Sequence, residues 1–262
     1  MNKRALMISA TALLVVAFGA AVYKFRSTVG TPTVKQESLA DVQGAAERGD
    51  AAAQYKLGLA LQNGTRKNDI EAQTWIRKAA EQGLAVAQYQ LGDMILGGRG
   101  IPKNDVEAVS WYRKAAEQGF APAQYILGAM LSTGHGVAKN ATEAALWDQR
   151  AAEQGLAEAQ SDLGIDFATG QGVERNEVVA VQWLRKAAEQ GDAHGQYVLA
   201  LVLTHGKTVP RDAAEAYFWL VLASRTNKEA QTLETEVRAQ ITTAQAYAAE
   251  ARASTWMPKR SN

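Results

Sequence analysis

The chain has 262 residues, with 28 Lys and Arg against 27 Asp and Glu, and a formal net charge of +1. Such a balance argues against nucleic acid as the main partner, which calls for a basic patch or stripe. There is no cysteine, so lipoprotein attachment and disulfides are both ruled out.

At the N-terminus, Lys3 and Arg4 precede an uncharged stretch from Ala5 to Tyr23. Its length is close to the ~20 residues that span a bilayer as a helix. Two readings stay open for residues 1–26. One is a signal peptide cleaved near Gly19, Ala20 and Ala21. The other is an uncleaved anchor that holds residues 5–23 in the inner membrane, with Tyr23 at the interface. Lys24 and Arg26 follow the stretch, so flanking charge does not decide orientation. The short N-terminal tail favours export, which places the rest of the chain in a bacterial periplasm. Residues 27–40, rich in Ser, Thr, Gly, Pro, Lys and Gln, read as a linker.

Residues 41–226 are a tandem array. Trp75, Trp111, Trp147, Trp183 and Trp219 stand 36 residues apart, and one fixed period over most of a chain means one structural unit copied in tandem. An Ala-Glu-(Gln/Arg)-Gly block ends at Gly49, Gly83, Gly119, Gly155 and Gly191. Each copy reads as a helix, a polar loop and a second helix. The second helix begins at an N-cap column of Asn68, Asn104, Asn140, Asn176 and Asp212, whose side-chain oxygens can accept from free backbone N–H groups. Glu71, Glu107, Glu143 and Glu215 follow three residues later, which predicts a reciprocal box. Val179 breaks that pattern in copy four. Apolar residues then recur at helical spacing, as in Ala72, Trp75, Ile76 and Ala79. Arg77–Lys78, Arg113–Lys114 and Arg185–Lys186 come late, where the helix end is negative. The first helix carries a central glycine at Gly58, Gly92, Gly128 and Gly164, replaced by Ala200. Glycine inside a helix costs about 1 kcal/mol against alanine. Its recurrence predicts that a neighbouring helix or a Trp ring packs on bare backbone there.

The pattern Ala-Gln-Tyr-x-Leu-Gly…Gly-x-Gly-Val-x-x-Asn…Glu-Ala…Trp-x-Arg-Lys-Ala-Ala-Glu-Gln-Gly resembles the Sel-1-like repeat family, relatives of tetratricopeptide repeats. The resemblance implies an all-α fold: a right-handed α/α superhelix, or solenoid, of five repeats with a concave inner face. It also implies adaptor or scaffold roles, frequently in bacterial envelopes. Some members of this size act as immunity proteins against lipase-type toxins delivered by type VI secretion. In copy five, Val221 and Leu222 replace the Arg-Lys pair, so the last outer face needs a cover. Residues 227–262 supply it, with helices expected at 228–239 and 242–255 as a C-terminal cap.

Signals for chemistry are poor. His135, His194 and His205 fall in different repeat columns with no partner at metal spacing, and read as solvated loop residues. The Gly-x-Gly triplets at 98–100, 134–136 and 170–172 lack a following Lys-Ser/Thr and read as turns. Glu81, Glu117, Glu153 and Glu189 belong to the repeat register and read as structural. No catalytic residue, metal ligand or cofactor site is expected. Some cysteine-rich members of the wider family have been linked to penicillin binding, but this chain lacks their cysteine staples.

Binding is the better expectation, and the variable first-helix columns are where partners would be read. These are Lys56, Gln90, Ile126, Asp162 and Val198; Leu59, Asp93, Ala129, Ile165 and Leu201; and Ala60, Met94, Met130, Asp166 and Val202. From them Lys56, Gln90, Asp93, Met94, Ile126, Met130, Asp162, Asp166 and Val198 are the candidate partner-binding residues. Exposed methionine suits adaptable surfaces, although apolar positions on a helix also serve packing. Copy four stands apart: Ser161 replaces the usual Tyr, and Asp162 and Asp166 lie one turn apart as an acidic patch for a basic partner. The reading is a non-catalytic scaffold facing the periplasm that binds another protein in its concave groove. That partner is a secreted lipase effector if the chain is an immunity protein, or an envelope-assembly protein if it is an adaptor. An enzyme acting on cell-wall fragments is the reading from a different class.

Overall fold

The computed structural model describes residues 38–62 and 66–259. These residues form thirteen helices and no strand. The chain divides into two compact units after Asn140. The N-terminal unit holds α1 (Leu39–Glu47), α2 (Ala51–Leu61), α3 (Arg66–Glu81), α4 (Ala85–Leu96), α5 (Asp105–Glu117) and α6 (Ala121–Thr133). The C-terminal unit holds α7 (Ala141–Glu153), α8 (Ala157–Thr169), α9 (Glu177–Glu189), α10 (Ala193–His205), α11 (Ala213–Ala223), α12 (Lys228–Arg238) and α13 (Thr243–Thr255). Within each unit successive repeat helices pack against one another, as a solenoid of helix hairpins requires. The expected signal or anchor segment 1–26 and most of the linker 27–40 lie outside the described residues. Among the described residues no helix is long and apolar enough to cross a membrane.

Each hairpin turns at a glycine in the left-handed region; Gly49, Gly83, Gly119, Gly155 and Gly191 have φ from 85° to 97°. The Gly-x-Gly triplets are turns, as read from sequence, and they also have a packing reason. A Cβ on Gly136 would meet the Asp105 carbonyl oxygen at 2.5 Å, and one on Gly172 would meet that of Ala141 at 2.1 Å. Only bare backbone lets these loops lie against the first turn of the preceding repeat's second helix.

The central glycines of the first helices have a different partner from the indole. Gly58 faces Ile76, Gly92 faces Tyr112 and Gly164 faces Leu184. These are the residues that follow each tryptophan, and they sit where a Cβ would otherwise be. On Gly92 a Cβ would stand 2.9 Å from the Tyr112 ring.

At α5 and α11 the N-cap forms without the reciprocal bond. Asn104 accepts from the Glu107 backbone N–H at 3.1 Å, and Asp212 accepts from that of Glu215 at 2.8 Å. The glutamate carboxylates, however, turn to the tryptophans and to the neighbouring repeat. Trp111 Nε1 donates to Glu107 at 3.4 Å, and Trp219 Nε1 donates to Glu215 at 3.3 Å. Arg77 pairs with Glu107 at 3.0 Å, and Arg185 forms a two-pronged pair with Glu215. A charged partner one repeat away outweighs a local backbone N–H that solvent can also satisfy. Copy one departs further: α3 runs from Arg66, so Asn68 lies inside its first turn and is not the N-cap. The late basic residues do more than meet the helix end. Lys78, Lys114 and Lys186 place Nζ 4.1, 3.9 and 3.8 Å from the centres of Trp75, Trp111 and Trp183. Such stacks contribute about 0.5–1 kcal/mol where exposed.

A glutamine column threads the repeats together. Gln54, Gln88, Gln124, Gln160 and Gln196 each donate to the carbonyl eight residues earlier, at 3.0 or 3.1 Å. Their own side-chain oxygens accept from Gln82, Gln118 and Gln190 in three copies, at 2.7 or 2.8 Å. These buried amides are thereby satisfied, which removes a desolvation penalty of about 1–3 kcal/mol per group.

Copy five is closed by α12 and α13, which both pack on α11 and lie where the sequence placed the capping helices. Trp256 meets Trp219 edge-on at 6.3 Å, and Tyr217 donates to Glu250 at 2.8 Å. Arg252 takes the place of the missing lysine stack, 3.7 Å above the Phe218 ring. The tail then returns to α9, where the Lys259 N–H donates to the Glu189 carbonyl at 2.8 Å.

Candidate protein-binding site

The first-helix columns proposed for partner contact divide sharply by burial. Met94, Ile126, Met130 and Val198 are buried and belong to the packing alternative. They lie on the face of their helix that meets other helices, so apolar burial consumes them. Gln90 and Asp93 are buried as well. Asp93 accepts a hydrogen bond from the Tyr112 hydroxyl at 2.7 Å; burial first, then the charge and hydrogen bond of Asp93, push the Tyr112 phenol well above its usual range. Lys56 stays exposed and Asp162 half-buried. Asp166 is 8 % exposed.

The histidines also differ in part from the sequence reading. His135 and His205 are exposed, and His135 Nε2 lies 3.0 Å from the Asp105 carboxylate. His194 is sheltered: its Nδ1 is buried without a hydrogen-bond partner. Burial lowers its pKa, against the opposing pull of Asp192 and Glu229.

A residue that sequence reasoning passed over joins the acidic patch of copy four. Asp148 on α7 occupies the column of Ile76, Tyr112, Leu184 and Leu220, which in copies one, two and four packs on the central glycine of the preceding helix. It is 5 % exposed, and its Oδ1 has no hydrogen-bond partner. The charges that act on it are those of Asp162 and Asp166 on α8. Burial, then those two like charges, raises the Asp148 carboxyl well above the usual range. Burial and then Asp162 push Asp166 up to about 8. The signal was present in the sequence as an aspartate in an otherwise apolar or aromatic column. A carboxylate held this way takes a proton or a cation, because burying an unpaired charge is far costlier than either. Among the described residues no group of His, Asp and Glu has the arrangement to hold a metal ion.

Elsewhere in the same unit, Glu177 is a buried carboxylate with ample donors. The backbone N–H groups of Lys207 and Thr208 donate to it at 2.7 and 2.8 Å, the Thr208 hydroxyl does so at 2.9 Å, and Arg175 pairs with it. It ties the loop before α11 to α9 and has no orphaned oxygen to offer.

Residues 51–84, 85–120, 121–156, 157–192 and 193–225 each match the Sel1 repeat family. Among solved structures the chain is similar to a Sel1 repeat protein from Oxalobacter formigenes, with 34 % identity, a TM-score of 0.65 and coverage of 79 % of this chain and 62 % of that one. It is also similar to c5321 of uropathogenic Escherichia coli, a protective antigen with an SLR fold. Identity there is 28 % and the TM-score 0.55, over 85 % of this chain and 57 % of that one. The chain thus spans about 60 % of the length of these two relatives. Immunity protein PA5088 from Pseudomonas aeruginosa is a more distant likeness, at 18 % identity and a TM-score of 0.47 over 79 % of this chain and 80 % of that one. No curated protein matches the chain.

Proposed function

Because the chain belongs to the Sel1 repeat family, we propose that it is a non-catalytic scaffold that holds a partner protein against the first-helix side of its repeats. The observation that carries this reading is how the repeat columns are used. The constant columns, the tryptophans, glutamines and glutamates, are consumed in joining one repeat to the next. The varied columns are left to differ, and in copy four they carry Asp162 and Asp166. Sel1 repeats generally serve protein–protein interaction. We place the repeats in the periplasm on the strength of the apolar segment 5–23. Affinity capture with residues 27–262 from an envelope fraction, read by mass spectrometry, tests the scaffold reading. A partner retained by wild-type protein and weakened by Asp162→Lys is expected. Capture of nothing above a bead control sinks it.

The finer proposal is that the partner is a lipase-type toxin delivered by type VI secretion, with this chain its immunity protein. Its support is the family resemblance and the apolar segment 5–23. Co-expression that restores growth to cells carrying such a toxin in the periplasm is the expected outcome. Failure to restore growth leaves the envelope-assembly adaptor as the role.

A further inference from the structure

The tail after α13 is a non-helical run, Trp256-Met257-Pro258-Lys259, laid on the turn that closes α9. The Lys259 N–H donates to the Glu189 carbonyl and its Nζ to the Glu189 carboxylate, both at 2.8 Å. The Pro258 ring lies over Gly191, where a Cβ would stand 3.2 Å from the proline Cβ. Three features of the turn are read together: a carbonyl at the helix end, a carboxylate beside it and a bare Cα. The same glutamate and glycine recur where α3 and α5 close, as Glu81 with Gly83 and Glu117 with Gly119. We propose that these two turns are docking sites for an extended segment of the partner protein in which a proline precedes a lysine or arginine, an inference that rests on the scaffold reading above.

The backbone of the three turns is alike. Gly83, Gly119 and Gly191 have φ of 93°, 85° and 90°, and each glycine N–H closes on the carbonyl three residues earlier at 2.9 or 3.0 Å. Their occupancy differs. Glu189 is half-buried at the tail, whereas Glu81 and Glu117 are exposed. A Cβ on Gly83 or Gly119 would meet nothing within 4 Å. Among the described residues no donor reaches the carbonyl or carboxylate of Glu81 or Glu117. The turn after α7 is less open, because Glu153 already accepts from Gln149 at 2.7 Å. One tail serves one turn, so the other two are left to another chain. The guest's chemistry follows from the host's. The last carbonyls of a helix lack intrahelical partners and carry its negative end, which suits a backbone N–H and a cation arriving together. Proline fixes its own φ and keeps the residue before it extended, so the segment has little freedom left to lose. Its ring needs the bare Cα that a left-handed glycine provides. The indole of Trp256 belongs to the cap instead. It answers Trp219, whereas the corresponding Trp111 already carries Lys114 Nζ 3.9 Å from its ring centre.

The test titrates the full chain, labelled with nitrogen-15 at glycine, with the acetylated and amidated tripeptide Met-Pro-Lys, and follows the glycine amides by NMR. The tripeptides Met-Pro-Glu and Met-Ala-Lys are the controls. The Gly83 and Gly119 signals are expected to shift saturably with Met-Pro-Lys, while that of the buried Gly92 stays in place. An exposed ion pair contributes little, so Met-Pro-Glu should bind about fivefold more weakly. Met-Ala-Lys, which lacks the ring, should also bind more weakly. The variant Glu81→Gln, Glu117→Gln changes only exposed side chains, so it should fold and lose the preference for lysine over glutamate. Fixed Gly83 and Gly119 signals overturn the proposal. So do equal affinities for Met-Pro-Lys and either control, or a lysine preference that survives in the variant. Partner capture reads separately: if wild type and Glu81→Lys, Glu117→Lys capture the same partner equally well, the docking sites are refuted while the scaffold stands.

Discussion

Glu177→Gln isolates the contribution of one buried charge. Three hydrogen bonds converge on its Oε2, from Lys207 N, Thr208 N and Thr208 Oγ1 at 2.7, 2.8 and 2.9 Å. The amide keeps one acceptor oxygen for these donors but has no charge, and its NH₂ then faces the Arg175 guanidinium. A hydrogen bond to a charged group contributes about 1.5–3 kcal/mol and a neutral one about 0.5–1.5 kcal/mol. Losing roughly 1 kcal/mol at each of three bonds gives a deficit of about 3 kcal/mol. The Arg175 pair, half-exposed on the arginine side, adds no more than about 1 kcal/mol. For a domain of this size each kcal/mol moves the melting temperature by about 2–4 °C, so a drop near 10 °C at neutral pH is expected. The pH dependence carries a sign. Burial alone would raise the Glu177 carboxyl, but the donors of Thr208, Lys207 and Arg175 outweigh it and hold the group at about 2. A folded value below the unfolded one means that the stabilisation is complete above the ordinary glutamate range and disappears as pH falls to about 2. Wild type should therefore lose stability steeply over that window, and the variant should lose less. Urea unfolding across that pH series measures both quantities. An unchanged midpoint at neutral pH, or acid limbs that run parallel in the two proteins, refutes the assignment of this carboxylate as the anchor of the loop before α11.

Gly92→Ala gains about 1 kcal/mol of helix propensity, but its Cβ would stand 2.9 to 3.1 Å from three ring atoms of Tyr112. Overpacking of this kind costs about 1–3 kcal/mol, so net destabilisation is expected, and a raised melting point would count against the close-packing reading. Tyr112→Phe leaves the buried Asp93 without its hydroxyl donor and should lower stability by about 1–3 kcal/mol, measured by chemical denaturation. Gln88→Ala strips a donor from the Ala80 carbonyl and an acceptor from Gln118. A loss of about 2 kcal/mol is expected, with faster exchange of the α3 and α4 amides. Truncation after Thr226 removes α12 and α13 and uncovers the apolar face of α11. An aggregating product is expected by light scattering, and a soluble one that melts cooperatively would show that the cap is dispensable.

The repeat was legible because its period is long and its constant residues are rare types. Trp at 36-residue spacing, an asparagine or aspartate near the start of each second helix and a glycine after it mark helix pairs without any knowledge of contacts. The capping helices were legible because Val221 and Leu222 leave an outer face apolar. What escaped were partnerships across repeats. Glu107 sits three residues after an N-cap, where local rules send its carboxylate back to the cap. The stacking of copies instead brings Arg77 to it, from 30 residues earlier. Nothing local distinguishes the two outcomes, because the choice is made by packing that a single sequence does not display. The close packing on the central glycines was legible as a neighbouring helix or an indole, and it is the neighbouring helix: the ring that covers Gly92 belongs to Tyr112 on α5, one residue beyond the tryptophan.

Variation along a repeat column has two physical meanings, and burial separates them only in part. Met94, Met130 and Val202 vary because the apolar space they fill varies, and a partner has no access to them. Asp93 varies and is buried as well, yet it needs no partner outside the chain, because Tyr112 changes with it in the same copy and supplies the donor. Where the surroundings bring no donor, the acid is neutralised instead. Asp148 on α7 is such a case: it is 5 % exposed, and one of its oxygens has no hydrogen-bond partner. Burial, then the like charges of Asp162 and Asp166, raises its carboxyl well above the usual range, so that a proton settles it in the folded chain.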